Sequence, residues 1–100
     1  MRELRILQEA EQEYHSSIEY YSDRDPAVGS RFVSAVEDKL QKIRESPLSY
    51  ALVSRNIREA IVAKFPYAIY FTVNDESVDV MAVFHHSRNP VVWQSRTGES

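Results

Sequence analysis

The residues best suited to chemistry lie in the second half of the sequence, where cationic and imidazole side chains follow one another. Lys64, His85 and Arg88 form the main set, with His86 beside His85 and Arg58 upstream. Cleaving an RNA phosphodiester without a metal requires a base for the 2′-hydroxyl proton, an acid for the leaving oxygen and a cation for the developing charge. His85, Arg88 and Lys64 are therefore the candidate catalytic residues if the chain cuts RNA.

The same cations are also suited to holding an anionic partner. Arg58 and Lys64 are six residues apart on one predicted strand, and this even spacing puts them on the same face. Arg88 follows the last predicted strand and could reach that surface. His85 and His86 are adjacent on a strand and point to opposite faces, so they cannot act together on one phosphate without a bulge. The cations suit a phosphate or an acidic protein segment, and a solvated, charge-paired rim is the alternative.

Trp93 and Arg96, near the end of the chain, complete the candidate binding residues. A tryptophan beyond the sheet either closes the edge of the core or anchors a partner, as tryptophan often does at interfaces. No metal site is expected, because Asp75 and Asp79 lack companions at ligand spacing and the chain has no cysteine. No phosphate-binding loop stands out, and no cofactor is expected.

Composition restricts the class of protein. One hundred residues with 43% hydrophobic content predict a single globular domain over 1–100, in which 97–100 form a frayed end. The formal net charge of −3, from 12 basic and 15 acidic residues, argues against nucleic acid as the main partner. The charged N-terminal residues lack the pattern of a signal peptide, and no run approaches roughly 20 apolar residues, so we expect a cytoplasmic protein without a membrane partner.

The first half of the sequence has the hydrophobic period of helices. After a short opening strand around Leu4, apolar residues recur every three or four positions over 9–23 and again from Val28 onward. Asp25 is a suitable N-cap, with Pro26 at the first helical position. The second helix ends at Ser46-Pro47. These features predict a helical hairpin, and most of its aromatic side chains are expected in the core: Tyr14, Tyr20, Tyr21 and Phe32.

The second half is rich in β-branched and aromatic residues. It predicts strands over 57–65, 67–73 and 78–84, with Pro66 at a turn, bulge or edge and a polar turn over 74–77. The order strand, helix, helix, strand, strand, strand indicates an α+β fold in which the hairpin packs on one face of an antiparallel sheet.

The sequence resembles the RelE/ParE toxin superfamily, in the branch of plasmid-stabilisation proteins, over about residues 3 to 96. The most specific part is a basic residue followed by Phe-Pro-Tyr, and then His-x-x-Arg-x-Pro-x-x-Trp. The residues that carry the resemblance are Ala10-Glu11, Tyr20-Tyr21, Gly29-Ser30-Arg31-Phe32, Pro47, Arg58, Lys64-Phe65-Pro66-Tyr67, Ala82-Val83-Phe84-His85, Arg88-Asn89-Pro90, Trp93 and Arg96.

The resemblance implies a helical hairpin on a small curved sheet, and the toxin half of a type II toxin–antitoxin module. It implies a cognate antitoxin as partner, whose extended or helical tail wraps the toxin. It leaves two kinds of target, since ParE-like members poison DNA gyrase and RelE-like members cut messenger RNA on the ribosome. A homodimer is left open.

Two positions depart from common versions of the family. Glu59 and Ser87 stand where extra basic residues would be expected beside the cations. Together with the acidic net charge, this favours a ParE-like toxin that inhibits gyrase by protein binding. A ribosome-dependent messenger RNA endoribonuclease is the alternative, and a non-toxic interaction module is the second alternative. Under the first hypothesis, the antitoxin- or target-binding residues are Arg58, Lys64, Arg88, Trp93 and Arg96.

Overall fold

The computed structural model describes residues 2–85 of the chain. Its elements follow in the order β1 (Glu3–Ile6), α1 (Gln8–Arg24), α2 (Pro26–Glu45), a 3-10 turn (Pro47–Ser49), β2 (Leu52–Ser54), β3 (Ile57–Ile61), β4 (Tyr67–Val73) and β5 (Ser77–His85). The two helices pack against each other and share a hydrophobic core with one face of a five-stranded sheet. The predicted α+β class, a helical hairpin on a small sheet, is therefore confirmed.

The sheet is mixed, because the first strand in sequence lies beside the last. The strand order is β1-β5-β4-β3-β2, in which β1 runs parallel to β5 and the other neighbours are antiparallel. The sequence predicts a wholly antiparallel sheet, which is wrong for the β1–β5 pair. Hydrophobic alternation shows that a segment is a strand, but it does not encode the direction of a distant partner strand. The short strand β2 was not predicted, since three residues beside a bulge show almost no alternation.

The predicted link between the helices is confirmed. Asp25 is the N-cap of α2, and its Oδ1 accepts a hydrogen bond from the Ala27 backbone N–H at 3.0 Å, with Pro26 in the first turn. Tyr20 is the exception among the aromatic residues expected in the core. Its side chain is 51% exposed, and its ring lies under the guanidinium of Arg24. Within residues 2–85, no helix is long and apolar enough to cross a membrane.

The two helices approach each other closely at Gly29, which is buried. A Cβ atom at this position would collide with the hydroxyl of Ser22 and would lie 3.0 Å from the Ser22 Cα. A larger residue would therefore have to displace the Ser22 hydroxyl and press on the backbone of α1. A glycine fits here because the helices leave little room for a side chain. Its backbone conformation would be accessible to other residues.

Both faces of the sheet bury apolar side chains. The face toward the helices contributes Ala60, Ile69, Phe71, Val78 and Val80 to the main core. The opposite face carries a second buried cluster, formed by Ile57, Ala68, Tyr70, Ala82 and Phe84. The sequences of β4 and β5 show the same feature, because consecutive apolar residues along a strand point to opposite faces of the sheet.

Strand β3 is shorter than predicted, and this changes the place of one candidate residue. The strand ends at Ile61, whereas the sequence predicts a strand that continues to residue 65. Lys64 lies in the turn before β4, with a left-handed backbone at φ 68°. The inference that Arg58 and Lys64 share a strand face is therefore wrong. Pro66 lies in the same turn, as predicted.

Candidate functional site

The Phe65-Pro66-Tyr67 motif fixes the β3–β4 turn onto the helical hairpin. The ring of Phe65 lies 5.1 Å from that of Phe32 and 5.3 Å from that of Tyr21, both in edge-to-face geometry. The ring of Tyr67 lies 5.0 Å from Phe32. Such aromatic pairs each contribute about 0.5–1.5 kcal/mol beyond their burial. The cluster holds the turn in place and so sets the position of its basic residue.

Beside this turn lies an apolar groove with two cations, which we call the cationic groove. It has a volume of about 530 Å³ and lies between the N-terminal half of α2 and the β3–β4 turn. It is lined by Val28, Ser30, Arg31, Ser34, Ala35, Ala63, Lys64 and Phe65. The ion pairs found within residues 2–85 are Arg5–Glu3, His15–Glu11 and Lys42–Asp38, so Arg31 and Lys64 have no carboxylate partner there.

His85 lies in a different groove, between α1 and the end of β5, which we call the β5 groove. Its volume is about 420 Å³. The exposed His85 side chain meets the ring of Tyr67 edge-on, at 5.6 Å between ring centres. The groove is otherwise polar and acidic on its α1 side, and its lining residues are Glu9, Gln12, Glu13, Ser16, Ser17, Tyr20, Tyr67, Val83, Phe84 and His85.

Arg58 is engaged by the backbone that precedes its own hairpin. One guanidinium nitrogen, Nη1, donates to the carbonyl of Tyr50 at 2.6 Å and to that of Leu48 at 3.4 Å. Leu48 lies in the 3-10 turn, and Tyr50 follows that turn just before β2. The same stretch is also held by the Tyr50–Phe71 ring contact and by the hydrogen bond from the Glu59 N–H to the Ala51 carbonyl. Arg58 therefore holds this segment against β3, a structural role that the sequence did not indicate.

Glu59, whose acidic character departs from the family pattern, also has a partner within the fold. It lies opposite Tyr70 in the β3–β4 register, and the Tyr70 hydroxyl donates to Glu59 Oε2 at 2.7 Å. Burial, followed by this hydrogen bond to a carboxylate, raises the pKa of Tyr70 far above its ordinary value. A basic residue at position 59 would lose this acceptor and leave the buried hydroxyl without it.

Glu13 makes a specific long-range contact that the sequence did not predict. The Glu13 carboxylate on α1 accepts a hydrogen bond from the Val83 backbone N–H of β5. A signal was present, because Glu13 lies three residues after Ala10 and four before Ser17, both of which are buried. An acidic residue inside a buried helical stripe indicates a specific partner.

The structure places only part of the predicted set. His86, Arg88, Trp93 and Arg96 lie outside the described residues, so their predicted roles remain predictions. Among the others, Lys64 and His85 are at the same end of the sheet, but they line different grooves. Arg58 lines neither groove. The described candidates therefore do not share one cavity in which a base, an acid and a cation would surround a phosphate.

The two grooves differ in the chemical character of their lining residues. The cationic groove combines an apolar floor with charge at its rim, and the β5 groove combines carboxylates with aromatic rings. Apolar floors with a few placed charges are typical of sites that receive side chains of a partner. Within residues 2–85, no three His, Asp or Glu side chains come together as metal ligands.

Comparison with known proteins gives consistent matches. Residues 4–90 match the family model described as ParE toxin of type II toxin-antitoxin system, parDE. Over 90 residues the chain is 28% identical to Toxin ParE2 of Mycobacterium tuberculosis, in strains CDC 1551 / Oshkosh and ATCC 25618 / H37Rv. That alignment covers 89% of this chain and 86% of the relative.

A solved structure shares the fold. It is described as a chromosomal ParDE TA system from P. aeruginosa and superposes with a TM-score of 0.73 at 13% sequence identity. The match covers 83% of this chain and 94% of the other. At this identity the likeness shows a common architecture, a helical hairpin on the same kind of sheet.

Proposed function

Because the chain belongs to the ParE toxin family of type II toxin–antitoxin systems, we propose that it acts by binding and inhibiting DNA gyrase, without cutting RNA. The protein is the toxin of such a module, and an antitoxin is its partner. Gyrase as the target goes beyond what membership of the family establishes.

The observation that carries the proposal is the separation of the candidate catalytic residues. Lys64 lines the cationic groove, and His85 lines the β5 groove beside Tyr67. Metal-free RNA cleavage needs proton-transfer groups within hydrogen-bond reach of the reacting oxygens, and each such group contributes orders of magnitude in rate. A protein inhibitor needs only a complementary surface, so dispersed side chains suffice.

Charge supports the same choice. A toxin that works inside the ribosome must sit among dense phosphates, which favours a basic protein. This chain has a net charge of −3, and the position beside Arg58 holds Glu59, committed to Tyr70. Arg58 itself donates to backbone carbonyls. Arg58 thus has a structural role in the fold, and the position beside it carries a carboxylate where a basic residue would have added positive charge.

The experiment compares both activities of one purified preparation. Gyrase supercoiling and trapping of cleaved DNA are measured beside the integrity of messenger RNA in a translating extract. We expect inhibited supercoiling or trapped cleavage with intact messenger. Codon-positioned cuts in ribosome-bound messenger that vanish in His85→Ala or Arg88→Ala would instead establish the nuclease. Normal growth on induction, despite folded protein, would point to a module that has lost toxicity.

A second arm concerns the end of the chain. The apolar and basic residues from Trp93 to Arg96 offer a compact binding motif in the sequence. Removing 93–100 is expected to abolish gyrase inhibition while antitoxin binding is retained. Full gyrase inhibition by the shortened chain would exclude this segment as the contact and move the search to the two grooves.

A further inference from the structure

The cationic groove combines three properties that point to one kind of occupant. Its floor is apolar, its two cations have no carboxylate partner among residues 2–85, and its walls are held by packed aromatic rings. We propose that this groove receives an acidic amphipathic segment of the cognate antitoxin, whose apolar side chains cover the floor while its carboxylates pair with Arg31 and Lys64. The inference rests on the toxin–antitoxin assignment and not on gyrase as the target.

The floor argues for a protein segment over a phosphate ligand. Ala35 and Phe65 are partly buried and pack on the main core, and Val28 is partly buried beside them. Phosphate sites are lined by hydrogen-bond donors, whereas this groove offers mainly hydrocarbon. Its volume of about 530 Å³ accommodates a few aliphatic side chains. Burying them would supply the non-directional part of the affinity.

The rim supplies specificity through charge. The toxin as a whole carries −3, so an acidic partner is favoured only where cations locally outweigh the carboxylates. The other cations of α2 are engaged: Lys42 pairs with Asp38, Arg44 donates to the Arg2 carbonyl, and Lys39 lies over the ring of Tyr50. Arg31 and Lys64 therefore form a local positive patch on an acidic protein.

The groove is also preorganised. Lys64 has a left-handed backbone conformation in the β3–β4 turn. The next residue, Phe65, contacts the rings of Tyr21 and Phe32. The position of its backbone is thereby fixed before any partner arrives. Preorganised sites lose less conformational entropy on binding, which favours affinity at a given contact area.

The test reverses the two charges without straining the turn. Aspartate tolerates the left-handed backbone better than most residues, so Arg31→Glu with Lys64→Asp keeps the fold. The matched control is Lys42→Glu with Arg55→Asp, which makes the same change of charge at another α2 site and at another turn residue with positive φ, 23°. Thermal unfolding of both double variants establishes that they are folded.

The probe is the full-length antitoxin encoded beside the toxin gene. Its dissociation constant is measured by calorimetry at two salt concentrations, with a labelled single-stranded RNA as a second ligand. We expect the groove variant to lose at least tenfold in affinity for the antitoxin and to show a weaker salt dependence. The control should stay within about threefold of the parent, since exposed charges away from an interface contribute little.

Three results would overturn the proposal: unchanged antitoxin affinity in the groove variant, an equal loss in the control, or RNA binding that is lost only in the groove variant. Gyrase inhibition is measured on the same samples and separates this inference from the function proposed above. A groove variant that still inhibits gyrase but escapes the antitoxin supports both. A parent that binds antitoxin through the groove but leaves gyrase active refutes only the gyrase target.

Discussion

The carboxylate of Glu13 takes the place of a strand partner for Val83, because its Oε1 accepts the Val83 backbone N–H at 3.1 Å. Strand β1 pairs with β5 only as far as Val80, opposite Ile6, and the chain then turns into α1. The rest of this edge of β5 therefore lies beside a helix. Open strand edges invite pairing with other chains, and a covering helix that supplies an acceptor suppresses this.

Replacing Glu13 by alanine is expected to leave the Val83 N–H without this acceptor and to lower the free energy of unfolding by about 1–3 kcal/mol. The Glu13→Gln variant retains a side-chain oxygen and should lose less than half of that. Urea unfolding measures both, and size-exclusion chromatography shows whether the alanine variant self-associates at the exposed edge. Equal stability of the alanine variant and the parent would refute the role of the bond.

Arg58 is predicted to act on stability as well as on binding. Removing its guanidinium in Arg58→Ala breaks the hydrogen bonds to the Tyr50 and Leu48 carbonyls. A bond from a charged donor contributes about 1.5–3 kcal/mol, so a loss of this size is expected in urea unfolding. Arg55→Ala, at an exposed turn position, serves as the control and should change stability by less than about 0.5 kcal/mol. Should both variants unfold alike, Arg58 would have no structural role.

Tyr70 is predicted to make stability depend on alkaline pH. Burial and the Glu59 carboxylate raise the pKa of Tyr70 above the value of about 10 for an unfolded tyrosine. Its stabilising contribution is therefore complete below about pH 10 and is lost as the pH rises from there toward the folded pKa. Burial, with Glu37 nearby, raises the pKa of Tyr14 to about 12, so both residues act in the same direction.

The Tyr70→Phe variant should be less stable at pH 7 by about 1–2 kcal/mol, because a buried hydrogen bond is lost. Above pH 10 its stability should fall less steeply than that of the parent, by at most about 1.4 kcal/mol per pH unit. Urea unfolding from pH 7 to 11.5 gives both values, with Tyr20→Phe at an exposed ring as control. Parallel curves for parent and variant would contradict the raised pKa.

A side chain at position 29 is predicted to lower stability by colliding with Ser22. Gly29→Ala places a methyl group against the Ser22 hydroxyl and should cost about 1–3 kcal/mol through overpacking. Adding Ser22→Gly removes the colliding atoms, so the double variant should recover part of the lost stability. Thermal unfolding of the parent, both single variants and the double variant closes the cycle. Additive effects of the two substitutions would show that no collision occurs.

The local elements could be predicted from the sequence because their signals lie within a few residues. The Asp25-Pro26 cap, the 3.6-residue period of both helices and the alternation in β4 and β5 all reflect which side chains leave water. The ordered residue pattern around Phe65-Pro66-Tyr67 likewise pointed to the toxin family, which the family match confirmed.

The site could be predicted only in part, because its geometry depends on where strands end. The strand-like pattern over 57–65 does not reveal that β3 stops at Ile61 and that the chain then turns, with Phe65 packed on the ring of Phe32. Once it turns, Lys64 belongs with Arg31 of α2 and no longer with Arg58. The family pattern identified Lys64 as a candidate binding residue, but it did not indicate that Arg31 would lie in the same groove.

What the sequence determined by itself was the class of fold, the hairpin with its cap, and the identity of the family. What only the tertiary structure decided was the pairing of distant residues: β1 beside β5, Arg58 on the Tyr50 carbonyl, and Glu13 on Val83, which are 70 positions apart. The reason is physical. Burial leaves a periodic trace along the chain, whereas a single hydrogen bond between remote residues leaves none until packing brings its two atoms together.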